Sequence, residues 1–318
     1  MIRHFLCDTD LTRQEQHSVL ALAQAMKADR FGYRPLAGPQ TVAVLFDKTS
    51  TRTRVSFAAG IADLGGSPLI IDSGESQLGH KESIADTARA LSGMVSALVW
   101  RTYRQEDLQE LAHYAGVPVI NALSDSYHPC QVLADLLTIQ EEFGDLTAKK
   151  LAFLGDGSSN MAQSLLLGAA IAGMQVALAC PQEYQPDAQP VNQARQLAQQ
   201  AGGSVTISQD PQEVVKDAHV LVTDTWVSMG QEQESRQRQQ ILSPYQVNKE
   251  RMQAAHPQAI FLHCLPAYRG SEVSAEVIDG PQSRVWQEAE NRLHAQKALL
   301  TFLLVESGLA DSYDQAGR

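Results

Sequence analysis

The chain has 318 residues, of which 44% are hydrophobic and 19% charged, and a formal net charge of -11. That length accommodates two domains of ordinary size, and the composition suits a globular protein with a substantial core. So acidic a balance argues against a general nucleic-acid or anionic-membrane binder, which would be repelled. In chain order, Val19, Leu20, Leu22, Ala23 and Met26 recur at helical spacing and predict a helix over 14–29, after the cap-like Asp10 or Thr12. A β-rich apolar run at 41–46 ends in FDKTSTRTRVSF. An amphipathic helical pattern then opens at about Arg54, with Val55, Phe57, Ala58, Ile61 and Leu64 on one face. A strand-like run at 68–72, a Gly/Ser-rich loop GESQLGHKES, a helix over 82–94, a strand over 97–101, a helix over 105–114, a strand over 117–123 and a helix from Pro129 to Phe143 follow. This alternation specifies a parallel sheet covered by helices, with ligands at the carboxyl ends of the strands.

FDKTSTRTR lies on such a strand-to-helix turn. The first helical N–H groups lack internal acceptors and the helix dipole presents its positive end, so an anion is stabilised there. Ser50, Thr51 and Thr53 add hydroxyl donors; Arg52 and Arg54 add guanidinium forks that match phosphate oxygens. A capped helix start with solvated arginines is the plain alternative, but five consecutive phosphate-compatible side chains favour a phosphate site. The glycines and the Gly-Lys-Ser/Thr ending of a P-loop are absent. Arg101 and the segment SDSYHPCQ fall at the ends of neighbouring strands. In that segment His128 and Gln131, three apart at a helix start, share a face, and His128 is suited to polarising a carbonyl or moving a proton. A capping or core role fits His113, His219 and His256 better.

After Gly144 and LTAKK a second alternating series runs KLAFLGD, a helix over 159–172, QVALACP, a helix across 190–201, SVTIS, AHVLVTD and AIFLHCLP, and reads as a second parallel α/β domain. GDGSSN superficially resembles a dinucleotide turn, but Asn160 replaces the third glycine and QVALACP ends without a ribose-binding acid, so a dehydrogenase is disfavoured. Asn160 offers an amide suited to a carboxylate, Asp224 a charge suited to an ammonium group, and Ser228 lies on the same loop; together they suit an α-amino acid. Taken singly, each has a routine explanation as a cap or turn residue. GQEQESRQRQQ shows no apolar period, so a mobile loop or lid is expected over 225–248. HCLPAYRG puts His263, Cys264 and Leu265 at a strand end, with Cys264 open to a nucleophilic, a positioning or an inert core role. The tail over 285–306 reads as a long helix. Cys7, Cys130, Cys180 and Cys264 lack paired spacing, so neither a disulfide framework nor a zinc knuckle is expected. With no apolar run of the ~18–20 residues that span a membrane and no signal-peptide core in MIRHFLCDTD, a cytoplasmic location is expected.

STRTR, HPCQ, DTWVSMG, HCLP and AENR, in that order, resemble the transcarbamoylase family, and DTWVSMG resembles its ornithine branch. The resemblance runs from about Phe5 to Leu304. It implies two α/β domains, a carbamoyl phosphate-binding domain over 1–142 with the C-terminal helix at about 286–318 packing back on it, and an ornithine-binding domain over 143–285. It also implies homotrimers, or multiples of them, with active sites between subunits. Carbamoyl phosphate is expected on Ser50, Thr51, Arg52 and Thr53, with Arg101, His128, Gln131 and Arg292 around it and Gln77 reaching a neighbouring subunit's site. Ornithine is expected on Asn160, Asp224, Ser228 and Met229, with Cys264 and Leu265 near the reacting groups and Arg101, His128 and Cys264 as the catalytic set. Ser159-Asn160 stands where the family has paired asparagines. The implied reaction moves the carbamoyl group to the δ-amine of ornithine, giving citrulline without a metal or organic cofactor. Its rivals are a carbamoyltransferase for putrescine or an N-acylated ornithine, and a non-catalytic metabolite-binding protein on the same scaffold.

Overall fold

The computed structural model describes residues 1–72, 82–227 and 235–310, which form two compact units: residues 1–134 with 291 onward, and residues 135–290. Each unit carries its own parallel sheet flanked by helices, as the alternation predicts. The first unit opens with α1 (Arg13–Ala28), started by a capping box between Thr12 and Glu15. Then come β1 (Thr41–Phe46), α2 (Thr51–Asp63), β2 (Ser67–Asp72), α3 (Ile84–Ser92), β3 (Ala97–Arg101), α4 (Gln105–Tyr114) and β4 (Val119–Leu123). The sheet order is β2-β1-β3-β4, with every pair parallel. β3 and β4 are buried along their whole length, which is why they read as unbroken apolar runs rather than alternating ones. From β1 the chain moves to one side of the sheet and from β3 to the other. The carboxyl ends of β1 and β3 therefore flank a topological switch point, where such sheets bind ligands.

The chain crosses into the second unit within α5 (Pro129–Phe143) and returns within α12 (Val285–Glu306). Between them lie β5 (Lys150–Leu154), α6 (Asn160–Ile171), β6 (Gln175–Ala179), α7 (Ala188–Ala201), β7 (Ser204–Ser208), α8 (Pro211–Val215), β8 (Val220–Val222), α9 (Ser235–Leu242), α10 (Lys249–Ala254), β9 (Ile260–Leu262) and α11 (Ala275–Ile278). Their order, β7-β6-β5-β8-β9, is also wholly parallel and sets a second switch point between β5 and β8. Every residue of α6 from Met161 to Ile171 is buried, as its all-round apolar sequence requires.

Three expectations are corrected. α2 starts at Thr51, not near Arg54, because Ser50 supplies the cap by accepting the Thr53 N–H (3.3 Å); the polar residues form its first turn. The helix expected over 82–94 is limited to 84–92, where Ser83 caps one end and Gly93 the other. The stretch expected as a loop contains α9, anchored by the buried Arg238 instead of an apolar stripe.

At the amino ends of β8 and β9, His219 and His256 stack with centroids 4.6 Å apart and planes at 12°. His219 Nδ1 accepts the Lys150 N–H and His256 Nδ1 the Gln258 N–H, each at 3.2 Å. Burial first, then the His256 and Lys149 charges, hold His219 below the ordinary histidine range. Its folded value thus lies below its unfolded one, so the stability it contributes is present above about pH 6.5 and is lost as pH falls toward the folded value. In urea titrations the unfolding midpoint should drop between pH 7 and 5, and His219→Gln should flatten that drop; an unchanged slope would contradict the assignment.

Candidate active site

The first unit gathers cationic side chains at its switch point. The turn after β1 docks on the end of β3 through Asp47 N–H donating to Arg101 O (2.9 Å). Arg101, the last residue of β3, is 7% exposed. Trp100 pairs with Asn121 but Arg101 with Leu123, so β4 carries one extra residue, a bulge of the kind that re-aims side chains beside a site. On α12, Arg292 donates from Nη1 to Gln131 Oε1 (2.6 Å) and from Nη2 to Thr53 Oγ1 (3.1 Å), which joins three of the expected residues. Burial first, and then the charges of Arg292, Arg101 and Arg52 in that order, push the His128 imidazole well below its ordinary value. Three guanidinium groups thus converge on one neutral imidazole, and the N–H groups of Thr51 and Arg52 begin the adjacent helix. A bound dianion relieves the mutual repulsion of such a set.

Arg54 does not belong to this set. It pairs with Asp72 at the end of β2, and its guanidinium lies 5.0 Å from the centroid of the Phe46 ring. Lys48, passed over in the sequence, ion-pairs with Asp125 and lies 4.4 Å from the Tyr103 centroid, tying the turn after β1 to the loop that carries His128. Cys130 donates its thiol to Asn121 O (3.3 Å), and burial pushes it up to about 12. Gln77 lies outside the described residues.

In the second unit the turn after β5 needs two glycines. Gly155 has φ +135°, and a Cβ on Gly157 would lie 2.8 Å from Cys180 Sγ and 2.9 Å from Tyr184 O. Asp156 Oδ1 accepts from the Ser158 N–H (2.9 Å) and hydroxyl (2.6 Å). Ser159 caps α6 by accepting the Ala162 N–H (3.2 Å), so the cap is not the amide of Asn160, which is the first helical residue. Across the switch point, Thr223 Oγ1 donates to Leu154 O (2.7 Å), and Asp224 follows it. Asp224 Oδ1 accepts the Thr225 N–H (2.7 Å) and the Cys264 thiol (3.1 Å). Burial raises the Asp224 carboxyl, opposed by His263 and Cys264. Burial and then the Asp224 charge raise the Cys264 thiol well above its usual range. Cys264 thus donates to Asp224, and a thiol raised in this way is disfavoured as a thiolate nucleophile.

Beneath it, His263 Nδ1 accepts the Leu265 N–H (2.9 Å), its Nε2 lies 3.3 Å from Glu272 Oε1, and its own N–H donates to Glu288 Oε2 (2.8 Å). Leu265, whose N–H is held by His263 Nδ1, stands at φ +56°, a left-handed conformation costly for a branched side chain and typical of functional sites. Among the described residues, Asp224, His263 and Cys264 bring potential metal-ligating atoms within 4.8 Å of one another. Within this cluster His263 Nδ1 already accepts the Leu265 N–H and the Cys264 thiol donates to Asp224. Ser228 and Met229 lie outside the described residues.

Arg238 is the site-region residue that the sequence hid. Its Nε donates to Trp226 O (2.6 Å), its Nη2 pairs with Asp156, and the guanidinium lies 4.4 Å from the Tyr184 centroid. It thereby ties the chain after β8 to the glycine turn after β5. An arginine among glutamines gives no signal by which pattern reading finds it.

Two parallel α/β units, one with an anion-attracting switch point and the other with an acidic one, define a protein built to recognise two small polar molecules. Sequence models of the aspartate/ornithine carbamoyltransferases match residues 3–141 as the carbamoyl-P binding domain and residues 147–303 as the Asp/Orn binding domain. The chain belongs to the aspartate/ornithine carbamoyltransferase family. It is 62% identical over 307 residues to the ornithine carbamoyltransferase of Clavibacter sepedonicus, covering 96% of this chain and 100% of that one. To that of Leifsonia xyli subsp. xyli it is 60% identical, covering 96% and 98%. Among solved structures, ornithine carbamoyltransferase from Pyrococcus furiosus superposes with TM-score 0.90 at 47% identity, covering 94% of this chain and 96% of that one. The anabolic ornithine carbamoyltransferase from Campylobacter jejuni gives 0.91 at 39% identity, covering 96% and 100%.

The side chains of Arg238 and Asp156 are 5% and 9% exposed, so Arg238→Leu leaves a buried carboxylate without its partner. The loss should be about 3–5 kcal/mol of stability, read as a lower urea midpoint; an unchanged midpoint would show that the pair carries no net stabilisation.

Proposed function

We propose that this chain transfers the carbamoyl group of carbamoyl phosphate to the δ-amine of L-ornithine, giving L-citrulline and phosphate. The observation that carries the reading is the convergence of Arg52, Arg101 and Arg292 on the neutral His128 at the first switch point. In this reading the first domain, 1–142 with the C-terminal helix, binds carbamoyl phosphate, and the second, 143–285, binds ornithine. The phosphate sits on Ser50, Thr51, Arg52 and Thr53 with Gln131 and Arg292, while Gln77 serves a neighbouring subunit. Arg101 and the neutral His128 donate to the carbamoyl oxygen. Asn160 takes the α-carboxylate and Asp224 the α-ammonium group, with Ser228, Met229, Cys264 and Leu265 completing the amino-acid site.

The δ-nitrogen lone pair attacks the carbamoyl carbon, and the carbonyl electrons move onto oxygen, where Arg101 and His128 stabilise them. The carbon–oxygen bond to phosphate then breaks, phosphate leaves with the electron pair, and the proton on nitrogen passes to the departing phosphate. Electrostatic donors of this kind are each worth about 10²–10³ in rate. Orientation of the two reactants contributes up to ~7–11 kcal/mol in favourable cases. The reaction asks for no metal or organic cofactor, because the phosphoric anhydride is already activated.

We further propose homotrimeric assembly, which is supported by the family resemblance and by the apolar surface left by Val55 (59% exposed) on α2 and Leu69 (45%) on the edge strand β2. A cytoplasmic location is supported by the free state of all four cysteines. Among the described residues no helix is long and apolar enough to cross a membrane.

The folded protein mixed with carbamoyl phosphate and ornithine should form citrulline across pH 7–9, with turnover rising as the free amine becomes available, since an ordinary alkylamine titrates near ~10.4. His128, neutral throughout, should add no step of its own between pH 7 and 9. Absence of citrulline would refute the assignment. Arg52→Ala should weaken carbamoyl phosphate binding roughly 10- to 100-fold, as expected for a charge-assisted bond worth about 1.5–3 kcal/mol; unchanged affinity in calorimetry would move the phosphate site elsewhere.

A further inference from the structure

We propose that Ser124 and Gln105 form a buried pair that positions His128, and so set the rate of carbamoyl transfer without touching substrate. The inference rests on the carbamoyl-transfer reading above. His128 immediately precedes α5, so the turn over 124–127 fixes where its ring stands. That turn is closed twice: Ser124 N–H donates to Tyr127 O (2.8 Å), and Ser124 Oγ accepts the Tyr127 N–H (3.1 Å). A solvated turn serine needs nothing more. Ser124 differs in being wholly buried and in donating its hydroxyl to Gln105 Oε1 (2.7 Å), at the start of α4 and nineteen residues away in sequence.

Gln105, 7% exposed, is itself held, since its Nε2 donates to Leu6 O (3.1 Å). The buried Asn121 Nδ2 donates to the same carbonyl (2.8 Å) and lies 3.4 Å from both Gln105 Oε1 and Ser124 Oγ. The turn thus hangs from a network anchored in α4, β4 and the amino-terminal segment. In a low-dielectric interior the bonds of such a network are strong, and removing one member leaves the others less defined. On the flank of the turn, Asp125 N–H donates to Tyr103 O (2.7 Å) and the Asp125 carboxylate pairs with Lys48, so the remaining freedom of the turn lies at its buried side. Ser124→Ala deletes the hydroxyl that joins Tyr127, next to His128, to Gln105. His128 then drifts from the carbamoyl oxygen while the phosphate cradle on α2 is untouched.

The test uses the full-length protein with Ser124→Ala, Gln105→Ala, the double variant and Ser124→Thr. Citrulline formation gives kcat and KM, inorganic phosphate binding is followed by calorimetry, and folding is checked by circular dichroism. Each alanine variant should lower kcat about 10- to 100-fold, the scale set by small misplacements of a reacting group. KM for ornithine and the phosphate Kd should stay within about twofold, the double variant should be little worse than either single one, and Ser124→Thr should recover most of kcat. A folded variant with wild-type kcat overturns the proposal, as do parallel losses of phosphate binding and kcat, or fully additive effects. If Ser124→Ala does not fold, Gln105→Ala decides by the same criteria. A wild-type protein that makes no citrulline refutes instead the reading on which the proposal rests.

Discussion

Like charges held together at one sheet edge are the constraint on which the first unit depends. Arg52 on α2, Arg101 at the end of β3 and Arg292 on α12 all act on the same buried imidazole. Guanidinium groups repel, and burial strengthens the repulsion. The fold offsets it with acceptors from other elements, Gln131 and Thr53 on Arg292, and with two strands whose outgoing connections diverge. A dianionic ligand completes the balance. Burial, reinforced by the same field that attracts the ligand, keeps His128 unprotonated, so the imidazole serves as an uncharged donor and not as a competing cation.

The second unit uses the same kind of sheet with the opposite sign. At its switch point stands the Asp224 carboxylate, held by the Thr225 N–H and by a thiol that burial keeps protonated. His263, Glu272 and Glu288 form the frame behind it, and the left-handed Leu265 is the conformational cost of that frame. A cationic rim in one unit and an acidic one in the other match a pair of substrates in which one is an acyl phosphate and the other carries an ammonium group. Family membership agrees, with the carbamoyl-P and Asp/Orn binding models falling on the corresponding halves of the chain.

The strand–helix alternation was legible because buried parallel strands read as short apolar runs and their helices carry a separate period. Both parallel sheets follow from it. The start of α2 escapes pattern reading because the hydrophobic period begins later than the cap: with Ser50 as cap the helix starts at Thr51, three residues before the expected opening at Arg54. Arg54 and Arg52 are neighbours in sequence, yet at about 100° per residue the two lie roughly 200° apart around the helix axis. The charge of one acts on the imidazole, and the other pairs with Asp72. α9 and Arg238 were invisible for a different reason. A helix anchored by one buried ion pair leaves no periodic trace, and the partner, Asp156, is 82 residues away. Arg292 was recognisable only through the family resemblance, since nothing in its local pattern sets it apart from other arginines of a long helix.

The most direct test of the central claim is a crystal structure of the protein with a non-hydrolysable phosphonate analogue of carbamoyl phosphate. The phosphonate oxygens should lie within hydrogen-bonding distance of the backbone N–H groups at the start of α2 and of the Arg52 guanidinium, with the analogue's carbonyl oxygen near Arg101 and His128. An analogue bound instead at the glycine turn and the start of α6, with the arginine cluster empty, would contradict the account.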